Sequence, residues 1–322
     1  MPRINCDYNM FEFVFGVIMS GIRSSLITKD GLKNFNRYSK FKFNPKGYDY
    51  YYQRYNSMKN SKSKNKSKES KELKQLKSFI NNCYSFKSMI QTQHKSYIRD
   101  VFVVGKNNKF ILNEPRFQRI EEMNKRLKIA NPKDSKKLCK SDVYVILDND
   151  KIIGVSVKMN KKCTKFNYSV QKILKDHFKV NINNLNNIKK IILHDNGIQK
   201  SNFKTMRHKG NKLFYDRNNP YWNQLHYYID SYNSKLASIL MSNYYCTHNN
   251  LYDVYEIDDY SSYILTKNEL DTDYYLEEDT QKKNRTNSAK LYYKLKKDEN
   301  TIMNLEIRWK GDPFVSPQFQ ST

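Results

Sequence analysis

A carboxylate and an amine close the two ends of the segment 140-KSDVYVILDNDKIIGVSVKMNKK-162: Asp142 precedes one run rich in Val, Ile and Tyr, and Lys158 ends the other. A polar Asp-Asn-Asp-Lys turn joins the runs, so the segment reads as a β-hairpin with opposite charges at its mouth. That pairing suits metal-dependent cleavage of a phosphodiester. A carboxylate holds Mg²⁺, the metal neutralises the phosphate and lowers the pKa of its bound water, and a lysine beside it orients or deprotonates that water. An ordinary surface hairpin with an ion-paired lysine would carry the same two residues.

Asp142, the strand 143-VYVIL-147, a turn and then 155-VSVK-158 resemble the core of the PD-(D/E)xK nucleases, in the style of type II restriction endonucleases. The resemblance spans about residues 115 to 180. It implies that Asp142 ligates the metal through its carboxylate and Val157 through its backbone carbonyl, while Lys158 acts on the attacking water. The pattern departs at Ser156, which stands where the family has Asp or Glu, and a neutral hydroxyl is a poor Mg²⁺ ligand beside a carboxylate. Either the metal is held by fewer acids or another acid moves in. Glu121 is the expected substitute, because this family often contributes a carboxylate from the helix before the Asp strand.

The hairpin geometry carries a condition. A two-residue turn at Asn149 and Asp150 would set Asp142 opposite Val157, and facing residues share one side of a sheet, so Asp142 would point away from Ser156 and Lys158. The site requires a three- or five-residue turn, or a bulge.

The elements around the hairpin follow from periodicity. Leu73, Leu76, Phe79, Ile80, Cys83 and Ile90 mark a helix over 72–90, 101-VFVV-104 and 110-FIL-112 read as strands, and Pro115 opens a helix over 115–130 with Glu121 on the edge of its apolar side. After the hairpin, 166–180 reads as a helix, 188-IKKIIL-193 as a strand, 223–240 as a helix and 302-IMNLEIRW-309 as a strand. The expected fold class is α/β: a restriction-endonuclease-like core, its mixed and mainly five-stranded central sheet flanked by helices, with additional N- and C-terminal elements. Residues 1–58 form a basic, aromatic N-terminal segment ending in 47-GYDYYYQRY-55, whose tyrosines either fill a small core or stack on bases. Residues 59–71 are a Lys/Ser/Asn run, a flexible linker or a phosphate-tracking loop. The catalytic core then covers 72–200, and 201–322 is a region for DNA recognition and dimerisation.

Charge points to the partner. The 322 residues hold 58 Lys and Arg against 32 Asp and Glu, a net +26 that calls for a polyanion, with double-stranded DNA foremost, although an A/T-rich codon bias also inflates Lys. Between Asp253 and Asp279 ten acids face the single base Lys267, a local charge of −9. That excursion is either a face kept away from phosphate or a solvated loop. Lys161, Lys162, Lys165, Asn167 and Gln171 are candidate contacts to phosphates flanking the cut, and Arg308, Lys310 and Gln318 are of types that read purine edges in the major groove. Five cysteines without a C-x-x-C pair indicate neither a disulfide framework nor a cysteine zinc site, and a reducing cytoplasmic compartment is expected. The apolar stretch from Phe11 to Ile22 is too short to span a membrane and contains Glu12. His194, His208 and His226 lack a zinc-nuclease framework.

The expected activity is Mg²⁺-dependent cleavage of duplex DNA at a short site by a homodimer. The alternatives are a structure-specific repair or junction nuclease of the same core, or a non-catalytic nucleic-acid-binding protein in which Asp142 and Lys158 form an ion pair.

Overall fold

A computed structural model describes residues 9–35, 37–43, 45, 47–63, 69–103, 141–159, 167–214, 219–245, 253–259, 262–265, 273–279, 290–309, 314 and 316–321. Glu121, Lys161, Lys162, Lys165 and Lys310 lie outside them, as do the strand expected at 110–112 and the helix expected at 115–130. The chain divides into two compact units. The first comprises residues 1–163 and 245–267, the second 164–244 and 268–322. This partition differs from the expected 72–200 core: the N-terminal segment is built into the first unit, and the hairpin over 143–157 shares that unit with a strand from beyond residue 250.

The first unit is α/β. Helices α1 (Met10–Met19), α2 (Gly31–Phe35), α3 (Tyr48–Lys59) and α4 (Lys71–His94) accompany strands β1 (Phe41–Lys42), β2 (Ile98–Val103), β3 (Val143–Leu147), β4 (Ile152–Val157), β6 (Asp253–Ile257) and β7 (Ser262–Leu265). Among the described residues the sheet has six strands in the order β1-β2-β3-β4-β6-β7, against the five expected. β1 and β2 are parallel, as are β4 and β6, and the other neighbours are antiparallel, so the sheet is mixed. One face packs Val101, Val103, Val143, Val145, Ile153 and Val155 with α1, α3 and α4 in a single core. The alternate residues Phe102, Tyr144, Ile146 and Ile152 are buried too, which is why β3 and β4 read as continuous apolar runs. Each aliphatic side chain so buried contributes about 1.5–3 kcal/mol.

The aromatic patch at 47–55 resolves in favour of packing, since Tyr48, Tyr51 and Tyr55 on α3 are buried and Tyr51 stacks on Phe13. α1 lies close on the sheet because residue 16 is glycine. A Cβ there would come within 2.5 Å of the Val103 side chain and 2.7 Å of the Phe41 ring.

Among the described residues the second unit places β5 (Asn167–Ser169), β11 (Gln318–Ser321), β10 (Asn300–Arg308), β9 (Lys290–Lys297) and β8 (Tyr274–Glu278) side by side in a five-stranded antiparallel sheet. Its helices are α5 (Val170–Phe178), α6 (Asn183–Asp195), α7 (Phe203–Lys212), α8 (Pro220–Ser231) and α9 (Asn233–Tyr245). Three expectations change here. Residues 188–193 belong to α6 and not to a strand: the buried residues are Leu185, Lys189 and Leu193, a four-residue spacing too long to show within a six-residue window. The helix expected from 166 starts only at Val170, where Ser169 accepts from the N–H of Lys172 as its cap, and the residues before it are β5. The helix expected over 223–240 is two helices broken at Tyr232. Among the described residues no helix is long and apolar enough to cross a membrane.

Candidate nuclease site

The turn of the β3–β4 hairpin meets the condition set by its geometry. Val143 pairs with Val155 and Ile146 with Ile152, and Leu147 donates to the carbonyl of Lys151, leaving Asp148, Asn149 and Asp150 as a three-residue turn. Asp150 has φ +62°, the left-handed conformation that closes such turns and that Asp tolerates better than most residues. Arg99 holds the Asp150 carboxylate at 2.6 Å. At the opposite end of β3, the Asp142 N–H donates to the Val155 carbonyl, so Asp142 and Val143 both meet Val155. Two residues against one is the arrangement of a β-bulge, which re-aims a side chain.

The re-aimed Asp142 carboxylate accepts from the Val157 N–H at 2.8 Å and from the Ser156 hydroxyl at 3.3 Å. Val157, expected to offer its carbonyl, presents its N–H to Asp142. Burial raises the Asp142 carboxyl above its ordinary range, the Lys158 ammonium and those two hydrogen bonds oppose the rise, and Glu256 adds to it. Lys158 follows directly on β4, where its own N–H donates to Ile257 on the parallel neighbour β6. Asp142, Ser156 and Lys158 therefore share one end of the hairpin, within electrostatic reach of one another.

A further acid joins them from α1. Glu12 occupies the third position of that helix and forms a capping box with Asn9: the Asn9 side chain accepts from the Glu12 N–H at 3.0 Å, and the Glu12 carboxylate accepts from the Asn9 N–H at 3.3 Å. Burial holds the Glu12 carboxyl well above the ordinary range and the Asp142 charge pushes it further, while the Asn9 N–H and Lys158 pull it back. Two carboxylates thus press on each other at the hairpin mouth, with Lys158 felt by both. Glu256 pairs in register with Ser156 across β4 and β6 and is buried. The β6 part of the acidic excursion is therefore no solvated loop.

Sequence reasoning missed Glu12, although a signal was present. Asn9-x-x-Glu12 ahead of an apolar run is the capping-box signature of a helix start, and it announces an acid at a helix end.

The remaining candidates fall in the second unit. Asn167 lies on β5. Gln171 is buried, and its amide donates to Asn186 at 3.1 Å and Tyr221 at 3.3 Å. Arg308 is engaged by Glu306 at 2.8 Å and Gln320 at 2.6 Å. Gln318 lies partly buried on β11. His226 sits 2.5 Å from the Tyr293 hydroxyl and within 3.6 Å of Asp230 and Glu278.

Among the described residues no three His, Cys, Asp or Glu side chains converge as a ready metal-ligand set. A cation at the hairpin mouth would therefore be held by one or two carboxylates with water completing its shell, a coordination Mg²⁺ accepts. The donors fit that ion in kind: hard oxygens from two partly buried acids whose mutual repulsion a divalent cation would relieve. The chain matches no protein-family model, no curated protein and no solved structure.

Proposed function

We propose that this chain is a Mg²⁺-dependent DNA endonuclease with a restriction-endonuclease-like core, acting in the cytoplasm as a homodimer on a short duplex site, where twofold symmetry lets two sites cut both strands. What supports this reading is the Asp142 carboxylate held at the hairpin mouth by the Val157 N–H and the Ser156 hydroxyl, with Lys158 next on the same strand and the charges of Glu12 and Lys158 acting there. Mg²⁺, when bound, supplies charge neutralisation at the phosphate and acidifies a bound water.

The residues divide the remaining work. Asp142, held by the Val157 N–H and the Ser156 hydroxyl, would be the first carboxylate for the cation, and Glu12, anchored by its capping box, would provide the second in place of Glu121. Lys158 orients the attacking water through Nζ and offsets the negative charge that grows on the phosphate. Its strand is fixed at that point by the bond to Ile257. Ser156 acts on Asp142 as a hydrogen-bond donor and leaves the metal to the acids. The net charge of +26 supports duplex DNA as the substrate.

Incubation of supercoiled plasmid with the protein and Mg²⁺ tests the reading. Discrete linear fragments, lost in EDTA and in Lys158→Ala, are the expected result. A Lys158→Ala variant that cuts as well as the parent would overturn it.

A further inference from the structure

The site lies against the start of α4. Gln75, in the second turn of that helix, donates its side-chain N–H to the Met159 carbonyl at 2.9 Å, one residue beyond Lys158. Asn82, two turns further on, donates to the Asp258 carbonyl at 2.8 Å, and Ser78 between them donates to the Asp259 carbonyl. Positions 75, 78 and 82 lie on one side of a helix, so a polar stripe of α4 grips the ends of β4 and β6. Whatever precedes Gln75 is thereby brought to the edge of the sheet where Lys158 stands.

What precedes it is a lysine-rich stretch of the chain. α3 ends at Lys59, Lys62 bridges antiparallel to Glu69, and Ser70 caps α4 by accepting from the Leu73 N–H at 3.1 Å. The described part of this α3–α4 connection is thus a short stem tied by one antiparallel bridge, and residues 64–68 of the expected flexible linker or phosphate-tracking loop lie outside the described residues. Its acids are turned to the stem itself, Glu69 toward Lys77 and Glu72 toward the Ser61 hydroxyl at 2.8 Å. Lys59, Lys62, Lys71 and Lys74 stand exposed. Lys71 is one helical turn from Gln75, about 6 Å along the axis, close to the spacing of successive phosphates on a nucleic-acid strand.

We infer that the Lys59–Lys62 stem and the Lys71–Lys74 turn of α4 form the surface along which the DNA backbone runs to the cleavage site, docked beside Lys158 by Gln75. The partner is the phosphate chain of a DNA duplex. The surface contributes affinity and direction and no base specificity. This inference rests on the proposed nuclease site and gives the substrate its path toward it.

The test is a variant with Lys59, Lys62, Lys71 and Lys74 all changed to Gln, compared with a control in which Lys172, Lys175, Lys190 and Lys200 of the second unit are changed to Gln. Binding to a 30-base-pair duplex in Ca²⁺ is measured over a range of salt concentrations, after circular dichroism shows that both variants are folded. If each lysine neutralises one phosphate, the slope of log K against log salt becomes shallower by about 3–4 in the α3–α4 variant and changes by less than about 1 in the control. Equal changes in both variants, or an unchanged slope in the α3–α4 variant, would overturn the inference. Because binding is read without cleavage, the result is independent of whether Lys158→Ala abolishes turnover, which decides the nuclease reading by itself.

Discussion

Charges are handled in opposite ways on the second unit's sheet and at the first unit's hairpin mouth. On the antiparallel sheet of the second unit, acids are matched by bases. Glu306 takes Lys290 on one oxygen at 2.9 Å and Arg308 on the other at 2.8 Å, and the exposed Glu277 is held below the ordinary carboxylate range by the hydrogen bond from Lys296. At the hairpin mouth of the first unit, Glu12 and Asp142 are both held above that range, by burial first and also by like charge, with Lys158 opposing the rise in each. Matched charges stabilise an arrangement that is already complete. Crowded acids are relieved by a cation, so the second pattern is the one that supports the proposed site.

The largest expected effects come from removing that crowding at its centre. Asp142→Asn keeps an acceptor for the Val157 N–H while deleting the charge, and Lys158→Ala deletes the amine. Each should lower plasmid cleavage by at least ~10²–10⁴-fold with duplex binding in Ca²⁺ retained, measured by single-turnover cleavage and by filter binding. Glu12→Gln sharpens the comparison, because Gln still serves a capping box at that helical position. The helix should keep its thermal stability while cleavage falls by about 10²-fold and half-saturation shifts to higher Mg²⁺.

The metal-free protein offers a smaller but more direct reading. Carboxyls raised above their unfolded values bind protons more tightly in the folded chain, so the stability they confer is fully present below the ordinary carboxylate range. It is lost as the pH rises through the raised values. Urea unfolding should therefore show stability declining with pH above about 4, and the decline should flatten in the Glu12→Gln, Asp142→Asn double variant or on adding Mg²⁺. The smallest effect on cleavage belongs to the other pattern. Glu306→Gln leaves Lys290 and Arg308 without their carboxylate and should reduce unfolding free energy by about 1–3 kcal/mol, with cleavage per folded molecule unchanged. A variant of Glu306 that cut DNA poorly while fully folded would erase the distinction between the two units.

Local features were legible in the sequence where a few neighbouring residues decide them. The β3–β4 hairpin, α4 and the strand at Val101 follow from apolar runs and turn residues, and the alternation of 302–309 marked β10. The need for a three- or five-residue turn, or a bulge, was legible too, because the period of two in a strand turns Asp142 away from Lys158 across a two-residue turn. The strand expected at 188–193 shows the limit. Ile191 and Ile192 look like a strand in isolation, yet Ile191 is exposed, and the buried partners that decide the matter stand four and eight residues from Leu185. Glu12 was illegible as a site residue for a different reason. Its capping role is local, but its nearness to Asp142 comes from packing α1 against a sheet whose central strands lie more than a hundred residues away.

The parallel pairing of β4 with β6 has a consequence for how the molecule is made. Ile153 lies beside Asp253, so the chain between them includes much of the second unit before it returns to finish the first sheet. Closing so large a loop is entropically costly and slow compared with forming the hairpin. During synthesis the β3–β4 hairpin and α1 can meet early, but Lys158 gains its backbone bond to Ile257, and α4 its hold on Asp258, only after residue 258 has left the ribosome. The hairpin mouth is thus completed late, once the strand that flanks it from beyond residue 250 has been made.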